Sequence, residues 1–191
     1  MGSAELNIYR PAPTVAFGRL DAQRSGYGAA LDAARAHGFA PLLRQPGGHA
    51  AAYHEGSLVI ELHGAGGIPG IRGRFEEGAR LITAALVGLG VDARTGAVPG
   101  EYCPGDWSVN LAGRVKLSGL AQRVRRDRYL LGAHIVCADP EPVRAVLVDV
   151  YAALAIDFDP ATVGVPGPPI DDVEHALREA FSANVEGLLA Q

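Results

Sequence analysis

Lysine is almost absent from this sequence. Of its 17 cationic side chains 16 are arginine, and Lys116 is the single lysine. Arginine serves wherever an exposed position needs only a positive charge, but it cannot replace lysine where a compact ammonium or an amine of adjustable pKa is required. The composition therefore indicates that Lys116 is a candidate functional residue, against the alternative that it is a chance survivor of a lysine-poor composition.

The chain also lacks the features of several protein classes. No apolar run reaches the ~18 residues that a membrane span requires. The first residues have neither the charged start nor the apolar stretch of a signal peptide. The net charge of −4 argues against a general affinity for nucleic acid or membrane surfaces. We therefore expect a cytoplasmic protein without nucleic-acid or membrane partners.

Cysteine is scarce as well, since only Cys103 and Cys137 are present. Their spacing is not that of a metal site, so we expect no metal and, in the cytoplasm, two free thiols. Cys137 ends an apolar strand and is expected in the core. Cys103 lies in a Gly/Pro-rich loop shortly before Lys116, and a cysteine near an ammonium becomes a nucleophile because the thiolate is favoured. The alternative is a loop thiol without a role.

The patterns that are present predict a globular α+β protein. Hydrophobic residues make up 48% and charged residues 20% of the 191 positions, and we expect one domain over residues 1–191. Short apolar runs between turn signals predict strands, which we expect to form a mixed, mostly antiparallel β-sheet flanked by helices. Four helices are predicted from three- and four-residue apolar spacing, over residues 27–37, 71–89, 140–155 and 170–190, the last after a connector over 156–169.

Lys116 is predicted to lie on the second strand of a β-hairpin whose turn is Ala112-Gly113. Simple alternation along that strand puts Lys116, Ser118 and Leu120 on one face and Gly119 on the other. A strand position is stiffer than a loop tip, which suits a catalytic or binding group that must be held in place.

A second candidate segment is Arg-Gln-Pro-Gly-Gly-His over residues 44–49. Two adjacent glycines beside an arginine let the backbone approach a ligand closely, with exposed N–H groups and a cation for an anionic part. The alternative is an ordinary turn between strands. His54 and His134 are candidates for proton transfer, each against the alternative of a structural histidine.

Taken together, these segments resemble the lipoate–protein ligase / octanoyltransferase family, whose members share the biotin/lipoate ligase catalytic fold. The resemblance covers roughly residues 5–150. One segment that carries it, Arg44-x-x-Gly-Gly-x-Ala-x-x-x-His54, is moderately specific to the family. The most specific segment is Gly113-Arg-x-Lys116-x-Ser-Gly-x-Ala-Gln122. The order and spacing of the two segments fit the family.

The resemblance assigns roles to individual residues. It implies that Lys116 contacts an acyl carbonyl or the phosphate of an acyl-adenylate, where a fixed charge stabilises an oxyanion. It also implies that the glycine-rich segment lines the slot for an acyl chain. The implied catalytic residues are Lys116 and Cys103. The implied substrate-binding residues are Arg44, Gly47, Gly48, His49, His54, Ser118, Gly119 and Ala121.

Two activities of the family remain open. A cysteine-dependent octanoyltransferase passes the acyl group from acyl carrier protein through a thiol to a lysine of a lipoyl-domain protein, without a cofactor. An ATP-dependent lipoate ligase instead forms lipoyl-adenylate, using ATP and Mg, and needs no cysteine. The loop position of Cys103, and a chain that ends at residue 191 without an accessory domain, favour the transferase.

A third alternative is a non-catalytic homologue that binds an acyl group or cofactor. It rests on departures from the family pattern, at Leu131-Gly132-Ala133-His134 and at Gly47-Gly48-His49.

Both catalytic interpretations imply acidic protein partners, namely acyl carrier protein and lipoyl-domain proteins. A short basic run is then expected to form their docking face, against the alternative of an ordinary solvated surface. The run consists of Arg123, Arg125, Arg126 and Arg128.

Overall fold

The structure, a computed structural model, describes residues 5–189, with side chains through residue 184. Within that part of the chain there are nine strands and four α-helices. The strands are β1 Glu5–Tyr9, β2 Thr14–Phe17, β3 Ala40–Leu43, β4 Ala51–Tyr53, β5 Ser57–Ala65, β6 Ala93–Thr95, β7 Val109–Leu111, β8 Val115–Arg125 and β9 Arg128–Val136. The helices are α1 Tyr27–Ala36, α2 Ile71–Gly88, α3 Pro140–Ala153 and α4 Ile170–Leu189.

Six strands form one antiparallel sheet in the order β1-β5-β9-β8-β7-β6. Alternate apolar residues of its central strands pack against α2 and α4, and these residues form the first hydrophobic core. Gly78 of α2 permits the close approach of helix and sheet, because a Cβ there would lie 2.9 Å from Leu120 Cδ2 and 3.0 Å from Leu131 Cδ2. Burial of this apolar face is the main stabilising term.

Three strands form a smaller sheet in the order β3-β2-β4, in which β2 runs parallel to β3 and antiparallel to β4. Apolar residues of α1 and α3 pack with this sheet in a second core, which includes Phe17, Ala30 and Val146. The mixed, mostly antiparallel α+β architecture predicted from the sequence is confirmed. Among residues 5–189 no helix is both long and apolar enough to cross a bilayer.

The predicted helices match the observed ones to within one or two residues at each end that the structure describes. Val173, Leu177 and Phe181 of α4 are buried as its apolar spacing predicts. The side chains of Val185 and Leu188, predicted for the same face, lie outside the described residues. Residue 190, at which the predicted helix ends, also lies outside the described residues, and the described part of α4 is Ile170–Leu189.

Two strand predictions need correction. The sequence does not predict β4, because its Ala-Ala-Tyr segment has no β-branched residue. The segment after Leu62 is predicted as a loop, but β5 continues to Ala65 by pairing with β9. Gly64 makes this possible because the Tyr129 ring covers it, at 2.6 Å from where a Cβ would lie.

A register shift interrupts the hairpin that carries Lys116. Val109 pairs with Ser118, but the next residue, Asn110, pairs with Lys116. A step of one residue along β7 thus corresponds to a step of two residues along β8, which leaves Leu117 without a pairing partner in β7. This is the pattern of a β-bulge at Leu117.

The bulge changes which side chains share a face with Lys116. A Cβ on Gly119 would lie 3.1 Å from Lys116 Cε, so Gly119 is on the side of the ammonium. Leu117 and Leu120 instead pack into the core with α2. The prediction that Leu120 shares the face of Lys116, and Gly119 does not, is therefore wrong, because an extra residue inverts the alternation.

Candidate active site

Cys103 lies in the loop between β6 and β7, which folds back over the hairpin. Its backbone has a φ of 43°, a left-handed conformation that is unusual for a residue with a side chain. Its N–H donates to Tyr151 Oη at 2.7 Å, and its carbonyl accepts from Lys116 Nζ at 2.7 Å. The peptide groups on both sides of Cys103 are therefore fixed, which keeps this half-buried residue in an otherwise unfavourable backbone conformation.

Lys116 is 2% exposed and binds the main chain of that loop. Its ammonium donates to the carbonyls of Cys103, at 2.7 Å, and Tyr102, at 2.9 Å, and to Glu101 Oε1 at 3.2 Å. Burial lowers the pKa of Lys116, and the negative charge of Glu101 opposes that shift. Because an ammonium has three hydrogens, all of its donors are occupied.

Glu101 is the buried counter-ion of Lys116, and the sequence does not single it out. It is 4% exposed. Its carboxylate also accepts hydrogen bonds from Ser108 Oγ at 2.6 Å, Gly105 N at 3.1 Å and Val98 N at 3.1 Å. The carboxylate therefore ties both ends of the Cys103 loop to the single lysine.

The glycine-rich segment lies directly against the thiol. Arg44 Nη2 donates to His49 O at 2.7 Å and contacts Cys103 Sγ at 3.5 Å. Gly48 has a φ of 93°, and a Cβ there would lie 2.6 Å from Arg44 Nη2 and 2.8 Å from Cys103 Sγ. A glycine is thus required for the guanidinium, the sulfur and this backbone to meet.

Two adjoining cavities open at this point. The first, of about 260 Å³, includes Cys103, Lys116 and Gly48 in its wall. The second, of about 360 Å³, lies between the two sheets and includes Leu42 and Val59. The residues common to both walls are Arg44, Gly119, Ala121 and His134. Because the two cavities share these residues, together they can accept an elongated molecule whose reactive end lies beside Cys103.

His134, at the junction of the cavities, is a neutral imidazole. Its Nε2 lies 3.1 Å from Tyr102 Oη. Burial, with the positive charges of Lys116 and Arg44, lowers the pKa of His134 to about 3. A group of this pKa is too weak a base to transfer protons efficiently at neutral pH.

The buried His134 is expected to make stability depend on pH. The unfolded chain takes up a proton below pH 6.5, the ordinary histidine pKa, whereas the folded chain does not until pH approaches 3. The free energy of unfolding should therefore fall as pH drops from 6.5, by up to about 1.4 kcal/mol per pH unit. Urea unfolding between pH 7 and 4.5 measures this slope, and His134→Gln should flatten it. Equal slopes for the two proteins would contradict the assignment.

Three of the predicted site residues have side chains outside both cavity walls. His54 caps the turn between β4 and β5, where its Nε2 donates to Asp139 O at 2.9 Å and its Nδ1 accepts from Gly56 N at 2.8 Å. Ser118 is buried, and its Oγ has no hydrogen-bond partner among the described residues. Neither side chain lines a cavity, although both residues are predicted to bind substrate, because each faces the interior of the fold.

His49 is the third. Its imidazole Nδ1 lies 2.7 Å from Asp21 Oδ1, and the other carboxylate oxygen accepts from Gly18 N at 2.8 Å. Asp21 is fully buried. His49 therefore contributes its carbonyl to Arg44 and its ring to a contact that fastens the glycine-rich segment to residues 18–21.

Asp21 and Tyr151 belong with Glu101 among the residues that sequence reasoning misses. Tyr151 Oη accepts from Cys103 N and donates to Ala50 O at 2.8 Å, so it joins the thiol loop to the glycine-rich segment. Each of these residues lies in a predicted helix or loop with no local motif, and only its distant partners reveal it. No cluster of three or more His, Cys, Asp or Glu suited to a metal ion occurs among the described residues.

The fold that positions these groups is that of the lipoate-protein ligases. Lipoate-protein ligase A bound with ATP superposes with a TM-score of 0.73 at 23% identity, over 96% of this chain and 73% of that chain. The bipartite lipoate protein ligase of Thermoplasma acidophilum, described with its E2 lipoyl domain, gives a TM-score of 0.66 at 22% identity, over 96% and 71%.

The chain belongs to the lipoyl protein ligase A/B catalytic domain family, whose profile matches residues 2–181. An octanoyl-[GcvH]:protein N-octanoyltransferase of Exiguobacterium sibiricum is 33% identical over 143 residues, 73% of this chain and 52% of the relative. The protein of the same name from Oceanobacillus iheyensis is 29% identical over 119 residues, 62% and 42% of the respective chains. This chain thus spans about half the length of these relatives. The family predicted from the sequence is confirmed.

Proposed function

We propose that this chain transfers an octanoyl group to a lysine of a lipoyl-domain protein through a thioester on Cys103. The observation that carries the proposal is the placement of the Cys103 thiol in the cavity wall, 3.5 Å from Arg44 Nη2. Its loop is held by Lys116 on one side and Tyr151 on the other. The octanoyltransferase names of the relatives support the acyl group and the reaction class.

The proposed reaction has two steps without redox chemistry. Cys103 Sγ attacks the acyl carbonyl, an S–C bond forms, the bond from the acyl carbon to the donor breaks, and the thiol proton passes to the leaving group. The lysine amine of the acceptor then attacks the thioester, an N–C bond forms, the S–C bond breaks, and the proton lost by the amine returns to sulfur. Covalent catalysis of this kind divides one difficult transfer into two easier ones, and it requires no cofactor.

The second cavity, which includes Leu42 and Val59, is the proposed slot for the octanoyl chain. Leu42, Val59 and Ala133 contribute apolar surface to it, and Gly119 and Ala121 keep the passage towards Cys103 free of large side chains. Lys116 lines the other cavity, and it reaches the acyl oxygen if one of its three hydrogen bonds is exchanged.

Two donors fit the proposal. Acyl carrier protein is the donor predicted from the sequence, whereas the name of the relatives specifies octanoyl-GcvH. We favour octanoyl-GcvH, since two relatives carry that name.

The proposed docking face is the tip of the β8–β9 hairpin. Arg125, Arg126 and Arg128 are exposed there, so they can contact acidic partners at a low cost in desolvation.

Intact mass spectrometry tests the function. The chain is mixed with octanoyl-GcvH or octanoyl-carrier protein, without ATP, and then given an unmodified lipoyl domain. We expect one octanoyl group on the peptide that contains Cys103, released by hydroxylamine, followed by octanoylation of the lipoyl domain.

Two other outcomes reject the proposal. Modification of the lipoyl domain only when free lipoate or octanoate is supplied with ATP and Mg would identify a ligase. Binding of octanoate without an adduct or transfer under either condition would identify a non-catalytic homologue.

A further inference from the structure

The second cavity crosses the large sheet from strand to strand. Gly119 of β8 pairs with His134 of β9, and directly paired residues present their side chains on the same face of a sheet. His134 pairs in turn with Val59 of β5, and Val59 pairs with Tyr9 of β1. All four residues line the second cavity, and Gly119 and His134 also line the first, with Cys103. An acyl chain attached to Cys103 therefore enters the second cavity at β8 and extends towards β1.

The width of the sheet can be compared with the length of the acyl chain. Neighbouring strands lie about 4.8 Å apart, so β8 is separated from β5 by about 10 Å and from β1 by about 14 Å. An extended octanoyl chain reaches across the first of these distances but not across the second. Its methyl end is therefore expected over β5, beside β1.

The part of the cavity over β8 and β9 has room for methylene groups. Gly119 and Ala121 of β8, and Gly132 of β9, have at most a methyl group as side chain. Val59 of β5 and Leu42 of the small sheet add apolar surface to the same wall. These residues can contact an alkyl chain favourably along most of the length of an octanoyl group.

The wall becomes polar where the octanoyl chain would end. Glu61 of β5 is half-buried in it, and Tyr9 Oη lies 3.5 Å from Glu61 Oε1. Tyr53 lines the same cavity from the small sheet. Burial, and then the negative charge of Glu61, raise the pKa of Tyr9 to about 12, and both also raise the pKa of Tyr53. The two hydroxyls therefore stay protonated beside the carboxylate.

We propose that Glu61, Tyr9 and Tyr53 form a polar end wall that limits the acyl chain to the length of octanoyl. This inference rests on the proposed function. An open apolar slot would favour longer chains, because each additional buried methylene group improves binding about fourfold. The polar end wall opposes that gain, since a decanoyl or dodecanoyl chain must remove water from the Glu61 carboxylate or displace the Tyr9 ring.

Single-turnover acylation of Cys103 tests the inference, with one carrier protein loaded in turn with hexanoyl, octanoyl, decanoyl or dodecanoyl groups. For the native chain we expect the second-order rate constant to be highest with octanoyl and about tenfold lower with decanoyl. Glu61→Leu replaces the carboxylate with an apolar side chain. Its ratio of decanoyl to octanoyl rate constants should be about tenfold higher than the native ratio. Tyr9→Ala opens space beyond β5 and should also raise this ratio.

Two matched variants serve as controls. Glu61→Gln removes the charge but keeps a polar side chain of the same size, so it should raise the ratio less than Glu61→Leu does. Glu141→Leu makes the same replacement on α3, away from both cavity walls, and should keep the native preference for octanoyl. Because both rate constants are measured on one protein sample, their ratio is independent of the folded fraction. A purely structural role of Glu61 would therefore leave the ratio unchanged.

Two results overturn the inference. One is a decanoyl to octanoyl ratio in Glu61→Leu that stays within about twofold of the native ratio. The other is a native rate constant that continues to rise from octanoyl to dodecanoyl. If Glu61→Leu does not fold, Tyr9→Ala decides by the same ratio. Failure of the native chain to form an adduct with any of the loaded carriers would instead reject the proposed function, and is therefore distinguishable.

Discussion

Replacement of Cys103 by alanine is expected to lower octanoyl transfer to the lipoyl domain by about 1,000-fold or more, as removal of a catalytic nucleophile does in other enzymes. The reason is that no other described nucleophile shares the position of this sulfur, in the cavity wall and against the Arg44 guanidinium. The measurement is the initial rate of lipoyl-domain octanoylation, followed by mass spectrometry with saturating donor.

The second cysteine supplies the control. Cys137 is 5% exposed, its Sγ lies 3.7 Å from Ile135 O, and burial raises its pKa to about 12. A thiol in that setting is unreactive. Cys137→Ala should retain the native transfer rate, with a modest loss of stability from the small cavity left behind. Native-like transfer by Cys103→Ala would show direct passage from donor to acceptor and exclude a thioester.

Replacement of Lys116 by methionine is expected to lower the free energy of unfolding by about 3–5 kcal/mol. Methionine fills a similar volume but leaves the Glu101 carboxylate buried without its cation, and it removes both bonds to the carbonyls of Tyr102 and Cys103. Urea unfolding at pH 7 measures the change. Acylation of Cys103 should fail in the same variant, because the loop loses the contact that fixes its backbone.

A double-mutant cycle separates the buried charge from the loop contacts. Glu101→Gln removes the negative charge and retains an acceptor for Ser108 Oγ, which lies 2.6 Å from the carboxylate. The double variant Lys116→Met/Glu101→Gln should therefore be destabilised by less than the sum of the two single variants, since neither partner is left as an unpaired ion. A loss below about 1 kcal/mol for Lys116→Met alone would show that the ion pair contributes little.

Much of the secondary structure follows from local patterns. The four helices are read from apolar residues that recur at the helical period, and the Lys116 hairpin from a tight turn between two apolar runs. Local patterns do not predict β4 or the end of β5. Apart from Tyr53, their residues are alanine, glycine and histidine, whose strand conformation comes from pairing with β2 and β9 rather than from their own preference.

Simple alternation of side chains along β8 does not give the correct residues on each face of the strand. A bulge at Leu117 turns Gly119 towards Lys116 and Leu120 towards α2. Bulges depend on how two strands register against each other, and that register is decided by the surrounding packing.

The sequence by itself determined the helices, the hairpin, the family and the two residues of greatest interest. Lys116 and Cys103 are conspicuous in composition and in local context, and both line the same cavity in the structure. These features depend on residues that are close together in the chain, so periodicity and spacing reveal them.

The tertiary structure decided how the two residues are related. Sequence spacing suggests an ammonium beside a thiol, but Lys116 binds the main chain of Cys103, and the guanidinium of Arg44, 59 residues from Cys103 in sequence, contacts the sulfur. Tyr151, 48 residues from Cys103, accepts a hydrogen bond from the N–H of Cys103. Contacts over such separations arise from the packing of two sheets and their helices, and no local pattern encodes them.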